Sequence, residues 1–103
     1  MKQYVITKDT RYVGVDAKRV KVPGFPEGHH LCIHENINPQ DRCKWVATHV
    51  ESGRMFAKAR TKEALRLRVN NLLEKKDKNK LKRDLKKHQQ FFEEHKWDVK
   101  IVR

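Results

Sequence analysis

At 103 residues, with hydrophobic and charged fractions both at 37%, the chain is sized for a single domain, residues 1–103, with one modest core. Lys plus Arg number 25 against 13 for Asp plus Glu, a net charge of +12, which is the balance of a protein that meets a polyanion. No apolar run reaches the roughly 20 residues of a membrane span and Met1-Lys2-Gln3-Tyr4 leads into no apolar signal region, so the expectation is no membrane, a cytoplasmic location and reduced cysteines.

In chain order, Tyr4-Val5-Ile6-Thr7 reads as a short strand, Lys8-Asp9-Thr10 as a polar break, and Tyr12-Val13-Gly14-Val15 as a second apolar stretch. Arg19-Val20-Lys21-Val22 alternates as a half-exposed strand does. Pro23-Gly24-Phe25-Pro26-Glu27-Gly28 interrupts the pattern and predicts a loop. The next strand is His30-Leu31-Cys32-Ile33-His34, and residues 36–41 turn the chain again.

From Cys43 to Arg60 the sequence predicts a β-hairpin turning at Ser52-Gly53. A two-residue loop there opposes Val50 to Met55, His49 to Phe56, Thr48 to Ala57 and Trp45 to Arg60. Alternate pairs share a face, so Val46, Thr48, Val50, Met55, Ala57 and Ala59 form a mostly small, apolar side. The other side carries Trp45, His49, Phe56, Lys58 and Arg60, with Arg54 at the turn. Two large aromatics among cations suit nucleic acid, because Arg and Lys contact phosphates and base edges while flat rings stack on bases. The alternative is a second core layer covered by another helix.

A helix follows, capped by Thr61 and with Glu63 at its positive end, whose stripe of Leu65, Val69, Leu72 and Leu73 can bury the small-residue face. A second helix is predicted from Asp77 to His95, with Leu81, Leu85 and Phe92 on one side and Phe91 beside them. Its first half is the most basic window of the chain, Lys75 to Lys87, relieved only by Asp77 and Asp84. Val99-Lys100-Ile101-Val102 closes the chain as a short strand. The fold class is α+β, a small antiparallel or mixed sheet with two helices in the order strands, helix, helix, strand.

The run from Trp45 to Leu73, strand, tight turn, basic strand and then Thr61-Lys62-Glu63-Ala64 opening a helix, resembles the three-stranded-sheet-plus-helix DNA-binding domains. These are the ethylene-response-factor type of plant transcription factors and the amino-terminal arm-binding domains of tyrosine recombinases. The resemblance implies a sheet laid in the major groove, with Trp45, Arg54, Phe56, Lys58 and Arg60 as contacts.

His29, His30, Cys32, His34, Cys43 and His49 raise the question of a metal, with His30, Cys32 and His34 on one side of a strand. No tight Cys-x2-Cys pair supports a structural zinc site, and unrelated strand residues or a histidine cluster near nucleic acid explain them as well. His29, His30, His34, Glu35 and Asp41 match no metal-nuclease motif, and no phosphate-binding Gly loop, Gly-x-Ser-x-Gly, Cys-x-x-Cys or His-Glu-x-x-His occurs. The expectation is a non-enzymatic protein with no cofactor and no metal.

The function expected from sequence is binding of nucleic acid, double-stranded DNA before RNA. The contacts expected are Trp45, His49, Arg54, Phe56, Lys58 and Arg60 on the hairpin, and Lys78, Lys82, Arg83 and Lys86 on the second helix. The alternative is a small phage or mobile-element interaction protein that binds a nucleic-acid-processing enzyme and inhibits or redirects it, with the aromatic face as its hot spot. A basic ribonucleoprotein component is a third class compatible with the charge.

Overall fold

The computed structural model describes residues 1–7, 11–95 and 101–102. Strand β1 (Lys2–Ile6) buries Gln3 and Val5 on one side and pairs antiparallel with β2 (Tyr12–Asp16). On the other side of β2, the short β7 (Ile101–Val102) joins in parallel and completes a three-stranded sheet. The polar break at Lys8-Asp9-Thr10 and the first half of the expected terminal strand, Val99 and Lys100, lie outside the described residues.

The larger sheet is built from β3 (Lys18–Val20), β4 (Leu31–Glu35), β5 (Trp45–His49) and β6 (Met55–Ala59), each antiparallel to its neighbour. Between β3 and β4, Gly24 and Gly28 take φ of 83° and 82°, the left-handed conformation that residues with a Cβ avoid, and the Pro-rich segment turns twice. Six strands thus precede the helices, and the strands divide between two sheets, which corrects the expected single sheet. The α+β class stands.

Helix α1 (Lys62–Lys75) starts where Thr61 Oγ1 accepts from the amide of Ala64 at 3.1 Å, with Glu63 in its first turn and Lys75 in its last. Its Leu65 and Val69 pack on Leu31, Ala47, Ala57 and Ala59 in one cluster, and the three alanines let the helix approach the sheet closely. Asp77 then caps α2 (Lys78–His95), its Oδ1 accepting from the amides of Asn79 at 2.8 Å and Lys80 at 3.3 Å. Among the described residues, Leu81 and Leu85 are the buried ones of α2, and further along its stripe the Phe92 ring lies 4.8 Å from the ring of Tyr12.

The hairpin register differs from the one expected. The carbonyl of His49 accepts from the amides of both Ser52 and Gly53, and the amide of His49 donates to Arg54, so the turn spans four residues, Val50 to Gly53, rather than two. A bulge follows, since Ala47 opposes Ala57 while Thr48 opposes Met55, leaving Phe56 as the extra residue on β6. Trp45 then faces Ala59, and Val46 faces Lys58. Val46 and Thr48 are accordingly not on the helix side, which is built from Ala47, Ala57 and Ala59 instead. Val46, Thr48, Cys32 and His34 are all buried on the opposite face, where His34 Nε2 lies 2.7 Å from Thr48 Oγ1. Both cysteines are free thiols.

The small sheet is fastened to this turn. Ile6 donates its amide to the Gly53 carbonyl, Gln3 Nε2 donates to the Val50 carbonyl at 3.1 Å, and the Tyr12 hydroxyl donates to the Ser52 carbonyl at 3.4 Å. Gly53 sits at φ 74°, and a Cβ there would lie 2.6 Å from the Tyr4 carbonyl oxygen. Gly28 has a similar φ but open space around it. Gly28→Ala is therefore expected to cost roughly 1–2 kcal/mol, from the left-handed backbone alone. Gly53→Ala is expected to cost at least about 1 kcal/mol more, because backbone must shift to admit the methyl group. Urea unfolding of the two variants checks the difference, and equal losses would contradict the close approach at Gly53.

Candidate functional site

Two features of the surface carry chemistry, a histidine–glutamate cluster beside the turn and a field of cations along the helices. The first follows from strand pairing. Leu31 opposes His49, and the amide of Val50 donates to the carbonyl of His30, so the antiparallel ladder carries His29 alongside Glu51 just beyond the strand ends. His29 Nδ1 lies 2.9 Å from His49 Nε2, and Glu51 Oε1 lies 3.4 Å from the same nitrogen. Ligating atoms of His29, His49 and Glu51 all fall within 4.8 Å of one another.

Each member is held from behind. Ser52 Oγ, itself accepting from the amide of Arg54 at 3.2 Å, lies 2.6 Å from His49 Nδ1. The Glu51 carboxylate accepts from the His30 amide at 2.7 Å and pairs with His30 Nδ1 at 2.9 Å. Burial raises the Glu51 carboxyl, but the two His30 hydrogen bonds outweigh it and leave the group below its ordinary value, hence ionised at neutral pH. Burial pushes the His49 imidazole down to about 4 against the opposing pull of Glu51, and lowers His29 as well. Both rings are neutral at pH 7.

The cations lie elsewhere. Leu81, Leu85, His88 and Phe92 mark the inward stripe of α2, and Lys80, Lys82, Arg83, Lys86 and Lys87 on the remaining faces are all exposed. Lys78, Lys82 and Lys86 form a row at i, i+4 and i+8, about 6 Å apart along the axis. Among the described residues, the one Lys or Arg paired with a carboxylate is Lys58, whose Nζ lies 2.6 Å from Asp41 Oδ2. The α2 cations therefore face solvent without an acidic partner among the described residues. A smaller, separate patch lies at the start of α1, where Lys62 and Lys44 stand over the Trp45 ring at 4.5 and 5.7 Å, with exposed Arg60 nearby in sequence.

The structure places the expected contact residues unequally. His49 is only 1% exposed and belongs to the cluster above, so it is not a surface contact. Phe56 is half-buried, edge-on to Phe25 at 5.6 Å, with Lys76 at 5.7 Å from its ring, and it shares a small cavity with His49, Leu81 and His88. Trp45 is half-buried against the core beneath α1. Arg54 is half-buried, its guanidinium 5.1 Å over Phe91 and its Nε buried without a hydrogen-bond partner among the described residues. Lys58 is tied to Asp41. Arg60, Lys78, Lys82, Arg83 and Lys86 are exposed. The hairpin thus has no single aromatic and basic face, because the four-residue turn and the bulge redistribute its side chains.

Of the histidines and cysteines, His29 and His49 come together, with His30 holding Glu51. Cys32 and His34 are buried on the other sheet face, where burial raises the Cys32 thiol to about 11 and lowers His34. In the sequence, Glu51 and Ser52 have a place only at the turn, not beside the histidines. Pairing the strand after His30 with the strand ending at His49 is the signal that brings them in.

His34, His49, His29 and His88 are all shifted below their ordinary value by burial. An imidazole with a depressed folded-state pKa gains its proton first in the unfolded chain, so the stability it carries is present above pH ~6.5 and is lost as pH falls toward the folded value. Glu51 and Asp41, held low in the fold, lose their contribution only at lower pH, below the ordinary carboxylate range. The urea midpoint is accordingly expected to fall between pH 7.5 and 5, measured with chelator present. His34→Gln, which removes one titrating ring, is expected to flatten that fall, and an unchanged slope would mean that His34 does not carry it.

No protein-family model, curated protein or solved structure matches the chain, and no helix among the described residues is long and apolar enough to cross a membrane.

Proposed function

We propose that the protein is a non-enzymatic nucleic-acid-binding domain that grips the phosphate backbone through the outer face of α2, with duplex DNA as its first target. The observation that supports this is the row of Lys78, Lys82 and Lys86 with Arg83 beside it, all exposed and none paired with a carboxylate among the described residues. A helix that needed these cations only for solubility would be expected to intersperse acids at i+4 positions, as ordinary helical surfaces do. Within Lys78 to Lys87 the sole acid is Asp84.

The α1–α2 junction strengthens the field. Lys75 and Lys76 lie just before the positive end of the α2 dipole and Lys78 and Lys80 occupy its first turn, four cations against the one carboxylate of the capping Asp77. Such a surface binds by counterion release and carries little sequence information, so affinity arises from charge number rather than from base contacts. The half-buried Trp45, with Lys44 and Lys62 over its ring, offers one stacking surface for a base or sugar apart from α2. The outer sheet face, which the resemblance to sheet-based DNA readers would use, is not required. A cytoplasmic location and a role beside the cell's nucleic acid follow from this proposal.

With about 6 phosphate contacts, the logarithm of affinity should fall with the logarithm of salt concentration at a slope of roughly −5. Lys82→Gln with Lys86→Gln removes two cations without touching the core, and should lower affinity for every duplex sequence alike and reduce the slope by roughly 2. Fluorescence anisotropy with labelled duplex, single-stranded DNA and RNA across a salt series makes the measurement. An unchanged slope would remove α2 from the interface.

A further inference from the structure

We propose that His29, His49 and Glu51 form a binding site for a zinc-class divalent metal ion, with His29 Nδ1, His49 Nε2 and a Glu51 carboxylate oxygen as ligands and water in the fourth position. The donor set is the first ground. Two imidazoles and one carboxylate suit zinc and its transition-metal neighbours, whereas magnesium and calcium take oxygen ligands.

Spacing is the second. Metal–ligand bonds of about 2.0–2.1 Å in a tetrahedron hold donor atoms roughly 3.3 Å apart. Here Glu51 Oε1 is 3.4 Å from His49 Nε2, and His29 Nδ1 is 2.9 Å from it. A few tenths of an ångström between the two rings opens the tetrahedral edge. His29 lies in the loop after Gly28 and is half-buried, so it can give way, while His49 is fixed.

Support from behind is the third ground, because metal ligands are held in orientation by their other polar atoms. In the metal-free arrangement one imidazole nitrogen donates its proton to the other across 2.9 Å. Metal binding replaces that shared proton. Each ring then carries its one proton on its other nitrogen, Nε2 on His29 and Nδ1 on His49, where the N–H donates a hydrogen bond to Ser52 Oγ at 2.6 Å, so two neutral imidazoles coordinate and no net proton is released. Glu51 is oriented by the amide and ring of His30, and a carboxylate bearing those two bonds keeps lone pairs for a metal.

Three ligands from two segments also say what the ion would do. It would bridge the loop between β3 and β4 to the turn between β5 and β6, so binding to the folded state alone raises stability. Tag-free protein, first stripped with chelator, is titrated with zinc by calorimetry and with cobalt(II) by visible absorption. The expected result is one ion per chain, cobalt bands of four-coordinate intensity, a rise in melting temperature on the order of 10 °C with zinc well above Kd, and no response to magnesium.

His29→Gln and Glu51→Gln, checked for folding by circular dichroism, are expected to lose binding. His30→Gln, which removes only the ring behind Glu51, should weaken it roughly 10- to 100-fold. His34→Gln, whose ring lies on the other sheet face, should bind as the unaltered chain does. Absence of zinc uptake by the folded, unaltered protein overturns the proposal, as does undiminished binding in both His29→Gln and Glu51→Gln. Where one of these variants does not fold, nitrogen chemical shifts of the His29 and His49 rings in the unaltered chain decide, since coordination moves both and a site elsewhere moves neither.

Discussion

Because the carbonyl of His49 accepts from both Ser52 and Gly53, the chain between β5 and β6 turns over four residues, and each of those four contacts another part of the molecule. Val50 and Gly53 offer carbonyls to Gln3 and Ile6 of the small sheet, and Ser52 offers its carbonyl to Tyr12. Glu51 reaches back to His30, and the Ser52 hydroxyl holds His49. A small domain has only a modest apolar area to bury between two sheets. Here polar main-chain bonds at one turn do much of the joining, and Ser52 and Gly53 are buried because that turn is interior rather than a solvent tip.

The same turn sets which side chains face the helices. A shift of one residue in register sends every side chain of a strand to the other face. With four residues in the loop and Phe56 bulged out of the ladder, Ala47, Ala57 and Ala59 lie under α1 while Cys32, His34, Val46 and Thr48 occupy the far side. The far side is buried too, so its polar members must bond to one another, as His34 and Thr48 do at 2.7 Å. What that face shows to solvent is Arg19 and Met55 at its edges, not a display of aromatics.

Much of this was legible in the sequence because it is local. The strands at Tyr4 to Ile6 and Leu31 to His34, the Thr61 cap, the Leu65 and Val69 stripe and the Leu81, Leu85 and Phe92 stripe are set by alternation, helical spacing and capping chemistry, and they occur where those signals stand. Ser52-Gly53 is different. It satisfies the signal for a two-residue turn, and what holds the longer turn is non-local, namely the bonds that its added residues make, Val50 to Gln3 and His30 and Glu51 to His30. The histidine cluster was illegible for a related reason. His29 and Glu51 are 22 positions apart in the sequence and become neighbours only once β4 is laid against β5 in register. The α2 cations needed no pairing to be read, since the stripe that buries Leu81 and Leu85 already sends Lys82, Arg83 and Lys86 outward.

The two chemical features also constrain each other. Lys82 contributes to lowering the His29 imidazole, which places the positive field of α2 within electrostatic reach of the cluster. Arg54 does the same to His88, the α2 histidine whose charge would in turn disfavour protonation of His49. Burial first, and neighbouring positive charge after it, keeps these imidazoles neutral, and neutral imidazole is the form that can coordinate a metal. The positive field opposes the approach of a dication, but the Glu51 carboxylate, kept ionised by His30, offsets part of that repulsion at the coordination point itself. A phosphate drawn to Lys82 would offset more of it, so anion binding on α2 and ion binding at the turn would favour one another, through charge rather than through any change of shape.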